Sequence, residues 1–398
     1  MLTALGLAVG YFAVVVLIGW VEGLTAEMVE NATGLVGGQI EIHDGEYRPE
    51  RSLYDTIGGR DGTDVAALLE QIVADESIVA AAPRVYAGGL ISSGEATSAG
   101  MLMGIDPSRE LDVSRFLDEL VDGRVPESGR SEVAIGTEMA RQLVVGVGDE
   151  LVLVAPGADG SMGNDLYTVS GIFQTGLAEL DATFTVLPLG DLQTLVTLDP
   201  DRIHEVAVTT EDPWVADDTA NGLDVGLAPE GLGLEVASWT QLNPVIVEYV
   251  ALVDAFYFVI FLIVFGIAIF GVANTMLMST YERRREFAVM LALGSTPRSI
   301  VQAVLYEAAA MGLLSLVFGF AVTFPVMFWW HNAPPDMSWL YTDVTFMGTL
   351  LRPSLRVEWN IPVWFWSGLA LVVTALLAAL YPAARAARVP PADTLSGL

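Results

Sequence analysis

Four long stretches of this chain carry no charged residue: Met1–Val21, Ala255–Tyr281, Ala308–Pro335 and Trp359–Ala384. A helix crossing hydrocarbon needs roughly 20 mostly apolar residues, and lipid offers nothing to satisfy an open backbone. Each run is long enough. Between Glu22 and Asp254 the longest uncharged stretch is 13 residues, Leu166–Ala178. The pattern predicts four membrane-spanning helices, with a large domain outside the bilayer between the first and second. A hydrophobic content of 53% and only 17% charged residues agree with that class. The first run reads as an uncleaved anchor, because it lacks a basic leading segment and a small-residue cleavage site and continues into helix-favouring Val21–Val29.

Charge is segregated along the chain. Residues 1–248 hold 41 acidic and 10 basic residues, a net −31, whereas residues 249–398 hold eight of each. All 18 basic residues are Arg, and Cys is absent. Thiolate chemistry, disulfides, a phosphate-cradling P-loop with its Lys, and Schiff-base chemistry are therefore excluded. An acidic, Lys-free exposed portion also argues against nucleic acid as a partner, since phosphate contacts need clustered positive charge.

Arginines set the orientation, because loops kept in the cytoplasm are enriched in basic residues near span ends. Arg283, Arg284, Arg285 and Arg298 follow the second run, and Arg385 and Arg388 follow the fourth. Both regions are expected in the cytoplasm, which puts the inserted domain and the loop His331–Glu358 outside. Trp329, Trp330, Trp339, Trp364 and Trp366 crowd the outer ends of spans three and four, as an interfacial aromatic belt does.

The inserted segment Gly37–Trp239 reads as a mixed α/β domain. Strands are expected at Gln39–His43, Ile78–Ile91, Ala99–Ile105, Glu150–Ala155, Leu166–Gln174, Thr183–Leu187 and Ile203–Thr209, and helices at Val65–Val73, Thr137–Leu143, Leu189–Val196 and Trp214–Asn221. Asp64 and Asp191 are expected as helix-start residues. Pro244 suits a first helical turn, and a helix from there to Tyr281 is about 57 Å long against a hydrocarbon core of roughly 30 Å. The excess predicts a stalk, matched by Leu24–Ala32 after the first span.

No catalytic or metal-binding pattern emerges. His43, His204 and His331 are far apart, Val208 stands where a zincin's second His belongs after His204-Glu205, and no G-x-S-x-G elbow occurs. The chain is expected to be no enzyme and to hold no cofactor or metal.

Tyr281–Leu293 has the pattern of a short amphipathic helix, with Arg283, Arg284 and Glu286 on one side and Phe287, Met290, Leu291 and Leu293 available to pack. Gly294 is expected to break it, Thr296 to cap the next helix and Pro297 to start it. Such a helix suits a groove in a cytoplasmic partner; the competing reading is a basic loop that only fixes topology. Gly266, Gly271, Gly312 and Gly319 are candidate helix-packing positions, and a dimer face there is left open.

The stretch Asn274–Glu307, NTMLMSTYERRREFAVMLALGSTPRSIVQAVLYE, resembles the FtsX-like permease domain of ABC transporters. Its matching positions are Asn274, Glu282, Glu286, Ala292, Gly294 and Ile300. Segments Gly37–Tyr47 and Asp122–Leu151 are similar to the MacB-type periplasmic core domain, and Tyr381–Leu395 to the family's tail. Span order and domain size resemble most the lipoprotein-releasing LolC/LolE branch. The loop Ala155–Asp165, APGADGSMGND, departs from that branch: it is short and nearly without apolar anchors where the family recruits a carrier.

The resemblance implies an integral membrane α-helical protein with four transmembrane helices and a large extracytoplasmic mixed α/β domain between helices 1 and 2. The expected divisions are span and stalk 1–34, core domain 35–243, stalk and span 244–281, cytoplasmic coupling segment 282–302, span 303–330, outer loop 331–360, span 361–384 and tail 385–398. It implies a permease subunit in the cytoplasmic (inner) membrane that transmits the motion of a separate ABC ATPase subunit to the outer domain. A second permease copy or paralogue, membrane lipid, and a lipoprotein or exported substrate are the other implied partners. Glu282, Arg283, Arg284, Glu286, Phe287, Met290 and Gly294 are the implied ATPase-coupling residues. The alternative is an envelope scaffold that regulates an outside enzyme by the same motion. Family members precede the first span with a basic amphipathic segment, so the natural start is expected upstream of Met1.

The orientation is testable by single cysteines in this Cys-free chain. A Cys at Ser295 should be labelled only from the cytoplasmic side, and one at Ser161 or Ser338 only from outside. Labelling of positions 161 and 295 from the same side overturns the topology.

Overall fold

The computed structural model describes residues 2–398 apart from 60–62, 95, 229–230, 232, 341–343, 347–348, 352, 392–393 and 395–398. The Asp254 side chain and much of the expected tail lie outside the described residues. In chain order the first elements are α1 (Leu2–Ala32), β1 (Ile40–Asp44), α2 (Val65–Val73), β2 (Ile78–Ser93), β3 (Ala96–Ile105) and α3 (Pro107–Glu110). There follow β4 (Leu120–Gly123), β5 (Glu132–Gly136), α4 (Thr137–Leu143), β6 (Glu150–Pro156), β7 (Met162–Phe173), α5 (Ala178–Thr183), β8 (Phe184–Pro188) and α6 (Leu189–Leu195). The remainder is β9 (Glu205–Thr210), α7 (Ala216–Leu227), β10 (Leu234–Ser238), α8 (Trp239–Leu242), α9 (Pro244–Glu282), α10 (Arg284–Ala292), α11 (Pro297–Asn332), β11 (Val344–Phe346), β12 (Thr349–Leu351) and α12 (Ile361–Ala386). The chain divides into two compact units. One comprises Met1–Ala26, Glu248–Thr342 and Pro353–Leu398, the other Glu27–Val247 and Asp343–Arg352.

In the first unit, α1, α9, α11 and α12 are long and apolar enough to cross a membrane. Small and β-branched residues line the buried face of α11 at helical spacing, Ile300, Val304, Ala308, Gly312, Ser315, Gly319 and Thr323, followed by Met327. A Cβ built at Gly312 would meet the Ala375 Cβ of α12 at 3.2 Å, and one at Gly319 would meet the Tyr11 ring of α1 at 2.9 Å. These two glycines serve close helix approach within the chain, with backbones near enough for dense packing. A Cβ built at Gly266 or Gly271 on α9 would meet nothing within 4 Å, so neither serves close helix approach within the chain. Ser315 and Thr323 return their hydroxyl protons to the carbonyls of Met311 and Gly319 in their own helix, so neither hydroxyl is left unpaired on the buried face of α11. On the far side of α9, Phe258, Leu262, Ile267 and Phe270 are exposed, as lipid-facing residues are.

The second unit is built on a ten-stranded sheet of order β10-β1-β9-β2-β3-β8-β5-β7-β4, with β6 pairing β2 and β7. The β3–β8 and β5–β7 pairs are parallel and the others antiparallel. Its first and last strands are neighbours: Ile40 faces Ser238, Asp44 faces Leu234, and the Trp239 amide donates to the Gln39 carbonyl at 2.8 Å. Two expectations shift. The Asp64 carboxylate caps α2 by accepting from the Ala66 and Ala67 amides, but Asp191 lies inside the first turn of α6, with Pro188 at the cap and the Gly129 amide facing its carboxylate. The helix expected at Trp214–Asn221 starts after a 3-10 turn over Pro213–Val215 and runs on to Leu227, because Gly222 is tolerated on its surface.

A buried polar network fills this unit between β1, β2, β9 and α3. Arg84 and Glu110 are fully buried and joined by two hydrogen bonds, at 2.5 and 3.1 Å. Arg84 Nη1 also donates to the Gly37 carbonyl at 3.1 Å and to Glu205 at 3.3 Å, and the Tyr86 hydroxyl donates to Glu205 at 2.7 Å. A buried ion of either sign is tolerated only when its partners and hydrogen bonds are this complete. His204 Nδ1 accepts the Tyr86 amide at 2.9 Å, so Nε2 carries the proton and faces the Leu53 carbonyl at 3.2 Å. Burial lowers the His204 pKa and keeps the ring neutral. Next to it, the Glu41 carboxyl contacts the Arg48 guanidinium. Burial, reinforced by the charge of Glu205, outweighs the pull of Arg48 and pushes Glu41 up to about 7.

Two outcomes follow from this packing. Gly319→Leu overpacks against Tyr11 and should destabilise the purified protein by about 1–3 kcal/mol, read as thermal unfolding in detergent, while Gly266→Ala should be near neutral. Glu41 has a folded pKa above its ordinary 4.5, so its contribution is fully present below that value and is lost as pH rises through about 7. Amide exchange at Ile40–Asp44 should therefore accelerate between pH 5 and pH 8 beyond the intrinsic rate, and Glu41→Gln should remove that excess.

Candidate functional site

Helix α9 does not run on into the coupling helix expected at Tyr281–Leu293. Tyr281 and Glu282 complete α9, Arg283 forms the break with φ −93° and ψ 12°, and α10 begins at Arg284. The break is fixed by charge. Arg283 Nε donates to Glu286 at 3.0 Å, its Nη1 donates to Glu307 on α11 at 2.8 Å, and its guanidinium lies 5.4 Å from the Phe287 ring centroid. Glu286 and Phe287 are one α-helical turn beyond Arg283, and Glu307 ties the turn to the returning helix.

The far end is fixed by backbone geometry. Gly294 has φ +96°, its amide bonds the Leu291 carbonyl at 3.1 Å, and the Ser295 amide bonds the Met290 carbonyl at 3.0 Å. This is a Schellman ending, which requires a left-handed residue that glycine supplies without strain. Thr296 Oγ1 then accepts the Ser299 amide at 3.3 Å and Pro297 occupies the first turn of α11, as the sequence indicates.

Between these ends the apolar residues divide. Phe287 and Ala288 are buried, and Phe287 belongs to the same hydrophobic cluster as Ile300, Val304 and Met276. Phe287 is thus an anchor into the chain's own bundle and is not available to a partner. The expectation that it packs outward is corrected by the fold-back of α11, which covers that face. Val289, Met290 and Leu293 are exposed, Leu293 to 82%. They form a short apolar strip on α10 beside exposed Arg284, Arg285 and Glu286. Of the expected residues, Glu282 is an exposed helix end, Arg283, Glu286 and Phe287 hold the turn, Gly294 ends it, and Met290 faces out. Leu293 and Val289 complete the outward strip; their signal was spacing relative to Met290, but helical spacing alone does not say which face the bundle covers.

Arg284 takes a different place from its neighbours. With Tyr281 and Thr280 it lines a cavity of about 200 Å³ whose other wall is Arg385 in the last turn of α12 and Arg388 and Val389 just beyond it.

In the outer unit, the segment Ala155–Asp165 is the tip of the β6–β7 hairpin, turning at Gly157–Gly160, with Met162 as its exposed apolar side chain. Among the described residues no group of His, Cys, Asp or Glu side chains is arranged to hold a metal ion.

Comparison with known proteins places this geometry. Residues 1–224 match the family model of the MacB-like periplasmic core domain, and residues 258–391 that of the FtsX-like permease C-terminal region. The chain is 23% identical over 400 residues to the lipoprotein-releasing system transmembrane protein LolC of Xylella fastidiosa (strain Temecula1), covering 97% of this chain and 94% of that one. It is 23% identical over 411 residues to the LolE protein of Haemophilus influenzae, covering 99% and 93%. The crystal structure of the periplasmic region of MacB from Actinobacillus actinomycetemcomitans is a remote likeness, with 13% identity and a TM-score of 0.37 over 55% of this chain and 95% of that one. With a matching core-domain model over more than half its length and an FtsX-like model over its last three long helices, the chain belongs to the ABC transporter permeases that carry a MacB-like periplasmic core domain.

Proposed function

We propose that this chain is the membrane subunit through which a separate ABC ATPase drives an extracytoplasmic domain, in a complex of the lipoprotein-releasing or export type. The observation that carries the reading is α10: a short helix braced at both ends, anchored inward by Phe287 and leaving Val289, Met290 and Leu293 uncovered. A rigid helix with an apolar strip and flanking charge suits a groove on a partner, where apolar residues supply affinity and charges set orientation.

In this reading four spans lie in the cytoplasmic (inner) membrane and Glu282–Gly294 meets the ATPase. The 39 residues of α9 make about 58 Å of helix, and the excess over a hydrocarbon core of roughly 30 Å acts as a stalk. A braced turn passes force on where a flexible loop would absorb it. Closure of the ATPase on ATP moves α9 and α11 together through the Arg283–Glu307 pair. A second copy or paralogue completes the complex, with the uncovered α9 face around Gly266 and Gly271 as its contact. The names of the similar proteins point to lipoproteins as the cargo class. The short β6–β7 hairpin offers a carrier little apolar surface beyond Met162.

The test places charges in the strip. Met290→Asp and Leu293→Asp should each reduce ATPase co-purification and cargo-stimulated hydrolysis by about tenfold or more, the scale of losing an interface anchor. Arg285→Ala should cost much less. Phe287→Asp should instead lower the thermal stability of the isolated subunit. Unchanged co-purification in both Met290→Asp and Leu293→Asp removes α10 as the coupling element and leaves it as a topology-fixing turn.

A further inference from the structure

The cavity between the ends of α9 and α12 has a composition that the coupling role does not use. Its walls are Arg284, Arg385 and Arg388, with Tyr281, Thr280 and Val389. In a chain of net charge −31 most arginines outside this region lie against carboxylates. Among the described residues none of these three arginines has a carboxylate partner. Two acids of this turn are already engaged, since Glu286 and Glu307 both bind Arg283, while Glu282 is exposed at the end of α9. Arg385 is also held in position, with its guanidinium 5.0 Å from the Tyr281 ring centroid and its Nη1 donating to the Tyr381 hydroxyl at 3.3 Å. Three cations converging on a space of about 200 Å³ call for a phosphate-sized anion.

The surroundings say which source of phosphate fits. Directly along the helices from the cavity, exposed apolar side chains continue: Met278 on α9, and Leu377, Leu380 and Tyr381 on α12. A soluble anion has no use for these. A lipid does, since its headgroup occupies the arginines while its chains lie along the two helix faces, and Tyr at the boundary matches the interfacial preference of that ring. We propose that this cavity is a binding site for an anionic phospholipid of the cytoplasmic leaflet, seated between the ends of α9 and α12. The leaflet assignment rests on the topology of the proposed function; the site itself does not. An occupant there links α9, α10 and the last helix through one headgroup, so lipid composition would set how firmly the α9–α10 turn is held.

The test uses the full-length subunit in detergent, without the ATPase, followed by native mass spectrometry during titration with phosphatidylglycerol, phosphatidylcholine or glycerol phosphate. Phosphatidylglycerol should be retained selectively, and glycerol phosphate should not displace it at equal concentration. Replacing both Arg385→Gln and Arg388→Gln should weaken retention by about twenty-five-fold, from roughly fivefold per basic residue at a membrane surface. Arg298→Gln, away from the cavity, should retain it, as should the Arg385→Lys, Arg388→Lys pair in large part, which separates lost charge from lost folding. Equal retention of phosphatidylcholine overturns the anionic site, and displacement by glycerol phosphate overturns the lipid in favour of a soluble phosphate. Unchanged retention in the Gln double variant overturns the assignment of the headgroup to these arginines. Failure of the topology would show in the labelling of position 295 and leave these binding results intact.

Discussion

Lipid tails are as apolar as leucine, so the helices of a membrane bundle gain little from hiding apolar surface from one another. What remains is close contact, and here it is concentrated on one face of α11. Gly312 lets Ala375 approach, Gly319 receives Tyr11, and the Ser315 and Thr323 hydroxyls on the same face are satisfied inside their own helix. With α1 and α12 fixed on that face, the direction in which α11 returns is fixed as well. That return buries Phe287 and leaves Val289, Met290 and Leu293 outside. The outward strip on α10 is a consequence of small residues well away from it in the membrane.

How much of this was readable in the sequence differs by kind of signal. Local signals were clear: the Leu-Gly-Ser-Thr-Pro run states a left-handed ending, a cap and a new first turn, and Pro244 marks the start of α9. Apolar runs marked the long helices because charge is intolerable over that length. The break at Arg283 was hidden, since it depends on Glu307 of another helix, and so was the inward turn of Phe287. Asp191 looked like a cap because its residue type suits one, yet α6 starts two residues before it, at Leu189, directly after Pro188 ends the strand. The Arg84 network was invisible for a similar reason. Its partners Glu110 and Glu205 lie 26 and 121 residues away, and only the sheet brings them together.

That network also explains how an acidic unit keeps an ordered interior. Glu41, Glu110 and Glu205 are buried close to one another, and two carboxylates of the same sign cannot both be held without compensation. Arg84 and Arg48 supply it from within, while the Tyr86 hydroxyl takes one further lone pair of Glu205. Asp181 and Glu132 are buried as well, each with hydrogen-bond partners of its own, and most of the other acids stay at the surface, where water and counterions screen them.

The adjacency of β1 and β10 has a mechanical meaning. The inserted unit begins and ends at the same edge of one antiparallel ladder, with Gln39 bonded to Trp239 and Ile40 opposite Ser238. A load that parts these two points would open the ladder from its end, one rung after another, and would meet little resistance. A load that carries both points the same way strains no rung. The unit is therefore compliant to splaying of its two attachments and stiff to their joint displacement, which makes it a follower of concerted motion and a poor lever for opposed motion.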